Sequence, residues 1–239
     1  MVQTVSVELD SGNESFRSDG RESFDIGDGW TVYITAKPTN LAAGPQTIFH
    51  LADADHKQND NTVLLEARNS TIRLTIVGSK GYGSPGKSVE FSGVLSDNVW
   101  SKFAVTWSGG TTQQLKFYHN GNFLPVSNTI FSDTSVIMTD SNDKRLWIGE
   151  NKNTFDREFI GRVFTSAIYT GIHNDVTVSG FALDPQADQS SAKHWWRFGF
   201  DSTTATGIGT DYGSSATKIP LNPFENNITA ADVVADFPT

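Results

Sequence analysis

Apolar residues recur at every second position through much of this chain, and a period of two leaves room for little besides β-strands. In WTVYITAK, Trp30, Val32, Ile34 and Ala36 share one side while Thr31, Tyr33, Thr35 and Lys37 share the other, the pattern of a strand with one face on a core. The period returns in Val63, Leu65 and Ala67; in Ile72, Leu74 and Ile76; in Phe103, Val105 and Trp107; and in Phe159, Gly161 and Val163. Each run stops at turn formers. Asn120-Gly121, between LKFYH and NFLPV, is a strong two-residue hairpin signal, because both central positions of the favoured turn need positive φ. GSKGYGSPGK (78–87), TDSNDK (139–144) and ADADHKQNDN (52–61) read as glycine-rich or polar loops. Outside a helical turn's worth of sequence from Asp175 to Leu183, no helical period competes. The expected fold class is all-β, two antiparallel sheets stacked as a sandwich.

With 239 residues the chain is long enough to bury a sizeable core as one sandwich. No internal repeat or low-complexity linker divides it. After Pro185, QADQSSAK reads as a polar connector, and HWWRFGF then resumes a strand pattern. The expected organisation is a sandwich over 1–185 and a C-terminal segment, 186–239, of strand and extended chain packing on the same domain. A tail of that length without staples would be marginal alone.

A net charge of −9 argues against a nucleic-acid partner, since neutralising phosphates needs clustered Lys and Arg. The absence of cysteine excludes disulfides, thiolate metal sites and thiol nucleophiles. There is no apolar run of the roughly 20 residues that span a bilayer, so no membrane insertion is expected. MVQTVSVELDSGNES has neither the basic start nor the apolar stretch of a secretory leader, and synthesis in a cytoplasm is the expectation.

Glu8, Asp10 and Glu14 in VELDSGNE raise the question of a glycosidase, whose retaining mechanism needs two carboxyls about 5 Å apart. Val5, Val7 and Leu9 form the apolar side of that segment, which puts Glu8 and Asp10 on the other. Ser11-Gly12-Asn13 then reads as a turn. Were the chain to stay extended, Glu8 and Glu14 would be about 20 Å apart. The five histidines, His50, His56, His119, His173 and His194, have no zinc-binding spacing, and neither H-E-x-x-H nor G-x-S-x-G occurs. No catalytic residue is assigned and no enzyme is expected.

Three blocks carry a resemblance: WTVYITAKPTNLAAGPQTIFHL, then VWSKFAVTWSGGTTQQLKFYHNGNFL, then RLWIGENKNTFDREFIGRVFTSAIYTGI. In order, they resemble successive blocks of the laminin G-like, or concanavalin A-like, jelly-roll family, over roughly residues 24–183. The middle block follows a "W-x-x-hydrophobic-A-hydrophobic-T-W … Y-x-N-G" pattern and the later one "hydrophobic-G … F-x-G-x-hydrophobic … I-Y". The tail, HWWRFGFDSTTATGIGTDYGSS ending in NITAADVVADFPT, is similar to C-terminal segments attached to such domains in virion proteins of tailed bacteriophages, marine ones especially.

The resemblance implies a jelly roll with a habit of adhesion to sugars or proteins. It implies a non-catalytic protein on the virion surface, as a capsid decoration, fibre or appendage. Its expected partners are other virion proteins, glycans of a cell surface or the environment, and further copies of itself. Two other readings stay open: a carbohydrate-binding module or lectin from a secreted cellular protein, and a concanavalin-fold glycosidase or lyase resting on the Glu8 to Glu14 coincidence alone.

No cofactor is required, but such sandwiches often hold calcium at a rim, and calcium takes oxygen ligands. The candidates are Asp53 and Asp55 with Asp60, or Asp140, Asn142 and Asp143. Sugar recognition would use exposed aromatic faces beside hydrogen-bonding groups. Trp30, Trp100 and Trp107 fall on core positions of the family. Tyr82 sits in the glycine-rich loop with no period to bury it. Trp147 alternates against Leu146 and Ile148, and Trp195 and Trp196 must point to opposite faces of one strand. Tyr82, Trp147 and Trp195 are therefore the candidate glycan contacts.

Overall fold

The computed structural model describes the chain except for residues 1–2, 4, 11–13, 25–28, 54–61, 78–86, 109–114, 126–143, 151–156, 184–188, 201–207, 225–227 and 239. The strands are β1 (Ser6–Leu9), β2 (Phe16–Ser18), β3 (Trp30–Pro38), β4 (Gln46–Asp53), β5 (Thr62–Arg68), β6 (Thr71–Val77), β7 (Lys87–Phe91) and β8 (Ser101–Trp107). They continue with β9 (Leu115–His119), β10 (Asn122–Leu124), β11 (Lys144–Ile148), β12 (Gly161–Thr170), β13 (His194–Arg197), β14 (Leu221–Pro223) and β15 (Val233–Val234). An α-helix, α1 (Asp175–Leu183), follows β12, where the sequence admits helical geometry. The first sheet has the order β10-β9-β8-β3-β12-β1-β15, with β13 also on β12; the second runs β14-β2-β11-β4-β5-β6-β7. Every pairing is antiparallel, so the chain is the expected two-sheet sandwich.

The alternation decides which residues meet between the sheets. Trp30, Val32, Ile34 and Ala36 of β3, and Phe103, Val105 and Trp107 of β8, face Val63, Leu65 and Ala67 of β5 and Ile72, Leu74 and Ile76 of β6 in one core. The β9–β10 turn places Asn120 at φ 49° and Gly121 at φ 78°, the left-handed pair that lets two strands reverse in two residues. Trp100 is not part of this core. It is half-buried, with its indole N–H on Asp236 Oδ1 at 3.2 Å.

The ends of the chain complete both sheets. β1 lies between β12 and β15, and β2 between β11 and β14. Asp236 adds ion pairs to Lys37 and Arg162. Asp211 accepts hydrogen bonds from the backbone N–H of Trp195 (3.0 Å), Gly213 (2.9 Å) and Ile219 (3.0 Å) and pairs with His194 Nδ1 at 2.7 Å. The C-terminal segment is thus built into the sandwich through backbone pairing and buried polar bonds.

The outer side of β3 is also covered. Thr31, Tyr33 and Thr35 are buried, where alternation alone expects an exposed polar face. A second, smaller cluster explains it: Tyr33, Ala104, Tyr118, Ala167, Tyr169 and Trp195 pack with Val178 of α1 and with Ala192. A shift in pairing between Val163 and Thr165 on β12 sets this up. The extra residue re-aims the following side chains, so that Ala167 and Tyr169 face outward under the helix.

A rim cleft at the start of the helix

Asn174 begins the helix. Its Oδ1 accepts hydrogen bonds from the Thr177 backbone N–H at 2.9 Å and the Thr177 hydroxyl at 3.0 Å, satisfying a donor that a helix start leaves without an internal partner. Asp175 follows in the first turn, where the helix dipole favours a carboxylate. It accepts from the Lys116 ammonium at 2.6 Å and the Tyr118 hydroxyl at 2.7 Å, both on β9. Those two bonds hold its carboxyl below the usual range against a small opposing effect of desolvation.

The strand-to-helix connection is fixed just as closely. Gly171 N–H donates to Gly29 O at 2.9 Å, the Thr31 hydroxyl donates to Gly171 O at 3.0 Å, and His173 N–H donates to Thr31 Oγ1 at 3.0 Å. The Tyr33 hydroxyl stands 3.1 Å from His173 Nδ1. Burial lowers the pKa of His173, so its ring is neutral at neutral pH.

These contacts frame a cleft of about 500 Å³ between the ends of β8 and β9 and the first turn of α1. Thr106 and Ser108 offer hydroxyls, Asn174 an amide, and Lys116 and Asp175 opposite charges. Ile172 and Val176 line the same space and are exposed at 52% and 82%. Apolar surface beside a few fixed polar groups is the usual make-up of a small-molecule site. The Lys116–Asp175 pair is 36% and 61% exposed, and an exposed pair contributes little, so a ligand hydroxyl can replace one of its bonds at small cost.

The sequence-derived candidates among the described residues, Asp53, Trp147 and Trp195, do not line this cleft. Tyr82, Asp55, Asp60, Asp140, Asn142 and Asp143 lie outside the described residues. Trp147 does point to the outer side of its sheet, but it is buried, stacked on His50 with ring centres 5.3 Å apart. Trp195 is buried in the cluster under α1, its indole N–H on Thr165 Oγ1 at 3.0 Å. Both expectations of an exposed aromatic face are therefore corrected: the protein's own chain covers these rings. Asp53 lies in an ion pair inside the sandwich. Its Oδ1 is 3.2 Å from the ammonium of Lys144, and both side chains are buried. That oxygen therefore faces a cation from the protein itself. Among the described residues, no group of three or more His, Asp or Glu is placed to hold a metal.

The carboxylates of the N-terminal segment have structural partners. Glu8 Oε1 accepts from Arg162 Nε at 3.0 Å and Nη2 at 2.8 Å, and Glu14 Oε2 accepts from the Asp10 backbone N–H at 2.7 Å. Lys116, Asn174 and Asp175 had no local signature as a site, since strand and helix meet only through the fold. The one available sign was Asn-Asp immediately before a helical stretch, a capping pattern.

A family model described as the concanavalin A-like lectin/glucanases superfamily matches residues 10–179. No curated protein matches the chain. Among solved structures, a heptameric SAP-like pentraxin from Limulus polyphemus is 14% identical with TM-score 0.56, covering 75% of this chain and 82% of its own. The CBM40 of Ruminococcus gnavus IT-sialidase, bound to α2,3-sialyllactose, is 15% identical with TM-score 0.56, over 74% of this chain and 96% of that one. A putative carbohydrate binding protein from Bacteroides ovatus is 14% identical with TM-score 0.62, over 95% and 63%. Likenesses at these identities show the fold alone.

Proposed function

Because the chain belongs to the concanavalin A-like lectin/glucanases superfamily, we propose that it is a non-catalytic adhesion module that binds glycans through the rim cleft, displayed on the surface of a tailed-phage particle. The observation that carries the glycan reading is the cleft itself, where exposed Ile172 and Val176 stand beside Lys116, Asn174 and Asp175. A sugar ring presents the complementary mixture of an apolar face and hydroxyls. The Ruminococcus module, described with sialyllactose bound, and the putative carbohydrate binding protein from Bacteroides lend support from the same fold. The non-catalytic reading rests on Glu8 and Glu14, whose carboxylates serve Arg162 and the backbone of Asp10. Display on a virion rests on the similarity of the tail sequence to phage virion proteins, and it makes other virion chains and further copies of this chain the expected neighbours.

A module of a larger secreted protein is the second reading, favoured by the CBM40 likeness, which spans 96% of that module. Mass spectrometry of purified particles from the source separates the two; consistent absence of this chain from particles sinks the virion assignment. The glycan reading is tested on an array probed with labelled protein, once with calcium and once with EDTA. Selective binding that is lost in Val176→Asp and weakened in Lys116→Ala is expected. The EDTA arm decides whether calcium takes part, and a negative array with demonstrably folded protein overturns the reading.

A further inference from the structure

We propose that a second cleft, on the outer face of the other sheet, is a separate site for an anionic sugar residue, with Arg68 receiving its carboxylate or sulfate group. This goes beyond the rim-cleft reading and does not depend on it.

The site follows from strand register. Opposite each other across β5, β6 and β7 stand Glu66 and Arg73, then Arg73 and Glu90, with Arg68 opposite Thr71 at the hairpin end. The turn between β5 and β6 is tight, with Asn69 at φ 52°. Together with Arg157, these residues line a cleft of about 170 Å³.

The charges are unequally spent. Arg157 Nη1 donates to Glu66 Oε1 at 2.6 Å, and the Glu66 side chain is only 4% exposed. Arg73 is held loosely: its Nε is 3.7 Å from Glu90 Oε1 and its Nη2 donates to the Ser88 hydroxyl at 3.2 Å. Arg68 is exposed, and its side chain makes no hydrogen bond or ion pair among the described residues. Three arginines thus face two glutamates in one concavity, on a chain whose net charge is −9. A lone surface arginine would mean nothing. This one lines a hollow whose other four charges, Arg73 and Arg157 against Glu66 and Glu90, cancel, so that its own is the surplus.

The chemistry of the occupant follows. A guanidinium matches a planar oxyanion with two parallel N–H donors. The Asn69 amide and the Thr71 hydroxyl at the same edge suit sugar hydroxyls. The hollow is well below the roughly 300 Å³ at which drug-sized sites begin, which suits one ring rather than a long chain. The overall negative charge repels anions, so binding is weak and strengthens as other residues of a polymer add contacts.

The experiment is a titration of the full chain, at low salt, with tetragalacturonate, a sulfated tetrasaccharide, neutral maltotetraose and inorganic sulfate, each read by calorimetry and by the arginine side-chain resonances. Arg68→Ala, Arg73→Ala and, for the rim cleft, Lys116→Ala are compared, with circular dichroism to confirm folding. Because Arg68 is exposed, its removal leaves the core untouched. Expected is binding of a carboxylated or sulfated tetrasaccharide that moves the Arg68 resonance, weakens about tenfold or more in Arg68→Ala, and is unchanged in Lys116→Ala. The carboxylated and sulfated arms tell which group is preferred. Equal binding of maltotetraose, binding of inorganic sulfate as strong as that of the saccharides, indifference to Arg68→Ala, or no binding by either acidic saccharide each overturns the proposal. Failure of neutral glycans at the rim cleft leaves these outcomes unaffected, so the two readings fail separately.

Discussion

His194 Nδ1 stands 2.7 Å from Asp211 Oδ2, with side-chain exposures of 1% and 0%. The pair joins the first strand of the C-terminal segment to the loop that follows it. Burial by itself would raise the Asp211 carboxyl, but hydrogen bonds from His194 and from the backbone N–H of Ile219, Trp195 and Gly213 outweigh it and hold the carboxyl below its usual range. A buried carboxylate with that many donors organises its surroundings: lose it, and several N–H groups are left without an acceptor.

Asp211→Asn is therefore expected to destabilise the protein by about 3 kcal/mol, because one amide oxygen replaces two carboxylate oxygens and an NH₂ now confronts donors. Urea denaturation measures it. The pH dependence follows from the lowered carboxyl: its stabilisation is fully present above about pH 4 and is lost as pH falls through the folded-state value. The gap between parent and variant should accordingly narrow on acidification. A variant with the parental midpoint at neutral pH would show that the tail is anchored elsewhere.

Lys144 and Asp53 give a different test, since each is the other's opposite charge inside the sandwich. Removing one side of a buried ion pair costs about 3–5 kcal/mol, whereas replacing both with apolar groups of similar size often costs little. Lys144→Met should be severe, and Lys144→Met with Asp53→Leu should recover most of the loss in a double-mutant cycle. Additive losses would mean that the two charges are solvated independently.

Much of this fold is legible because burial has a period. Trp30, Val32 and Ile34, like Ile72, Leu74 and Ile76, are buried on the side that alternation assigns, and Asn120-Gly121 forms the turn that its residues favour. Alternation reports only one face, however. It reads Tyr33 as outward, and says nothing of α1 and Ala192, which cover that face. Nor does it register a shift in pairing such as the one after Val163, and strands as short as β14 and β15 carry no measurable period. The rim cleft is illegible for a related reason: Lys116 and Asp175 meet across 59 positions of sequence. Proximity of that kind is made by the sandwich, and neither residue announces it.

Gly161 opens β12 at φ 153°, and a Cβ there would lie 2.3 Å from Lys37 O and 2.8 Å from the Phe159 ring. The backbone oxygen belongs to the neighbouring strand β3 and has nowhere to retreat. Gly161→Ala should cost about 2–3 kcal/mol from overpacking and backbone strain, read as a lower thermal midpoint. A neutral substitution would mean that β12 and β3 separate at this end without penalty.

The aromatic cluster under α1 makes a final prediction at high pH. Tyr33 is pushed well above the ordinary phenol range by burial first and then by Tyr169 and Tyr118; Tyr118 is raised by burial and then by its hydrogen bond to Asp175. A raised folded-state value means that the stabilisation is complete below the unfolded value, about pH 10, and is lost as pH rises beyond it. Of the five tyrosines, Tyr33 and Tyr118 should thus fail to ionise near pH 10 in the native protein and should titrate only as it unfolds, in a step visible in tyrosinate absorbance and circular dichroism together. Tyr118→Phe should remove one phenol from that late step and, by freeing Asp175 from one of its two β9 partners, loosen the first turn of the helix by about 1 kcal/mol. Reversible ionisation of all five near pH 10 with the fold intact would mean that the helix does not seal this face.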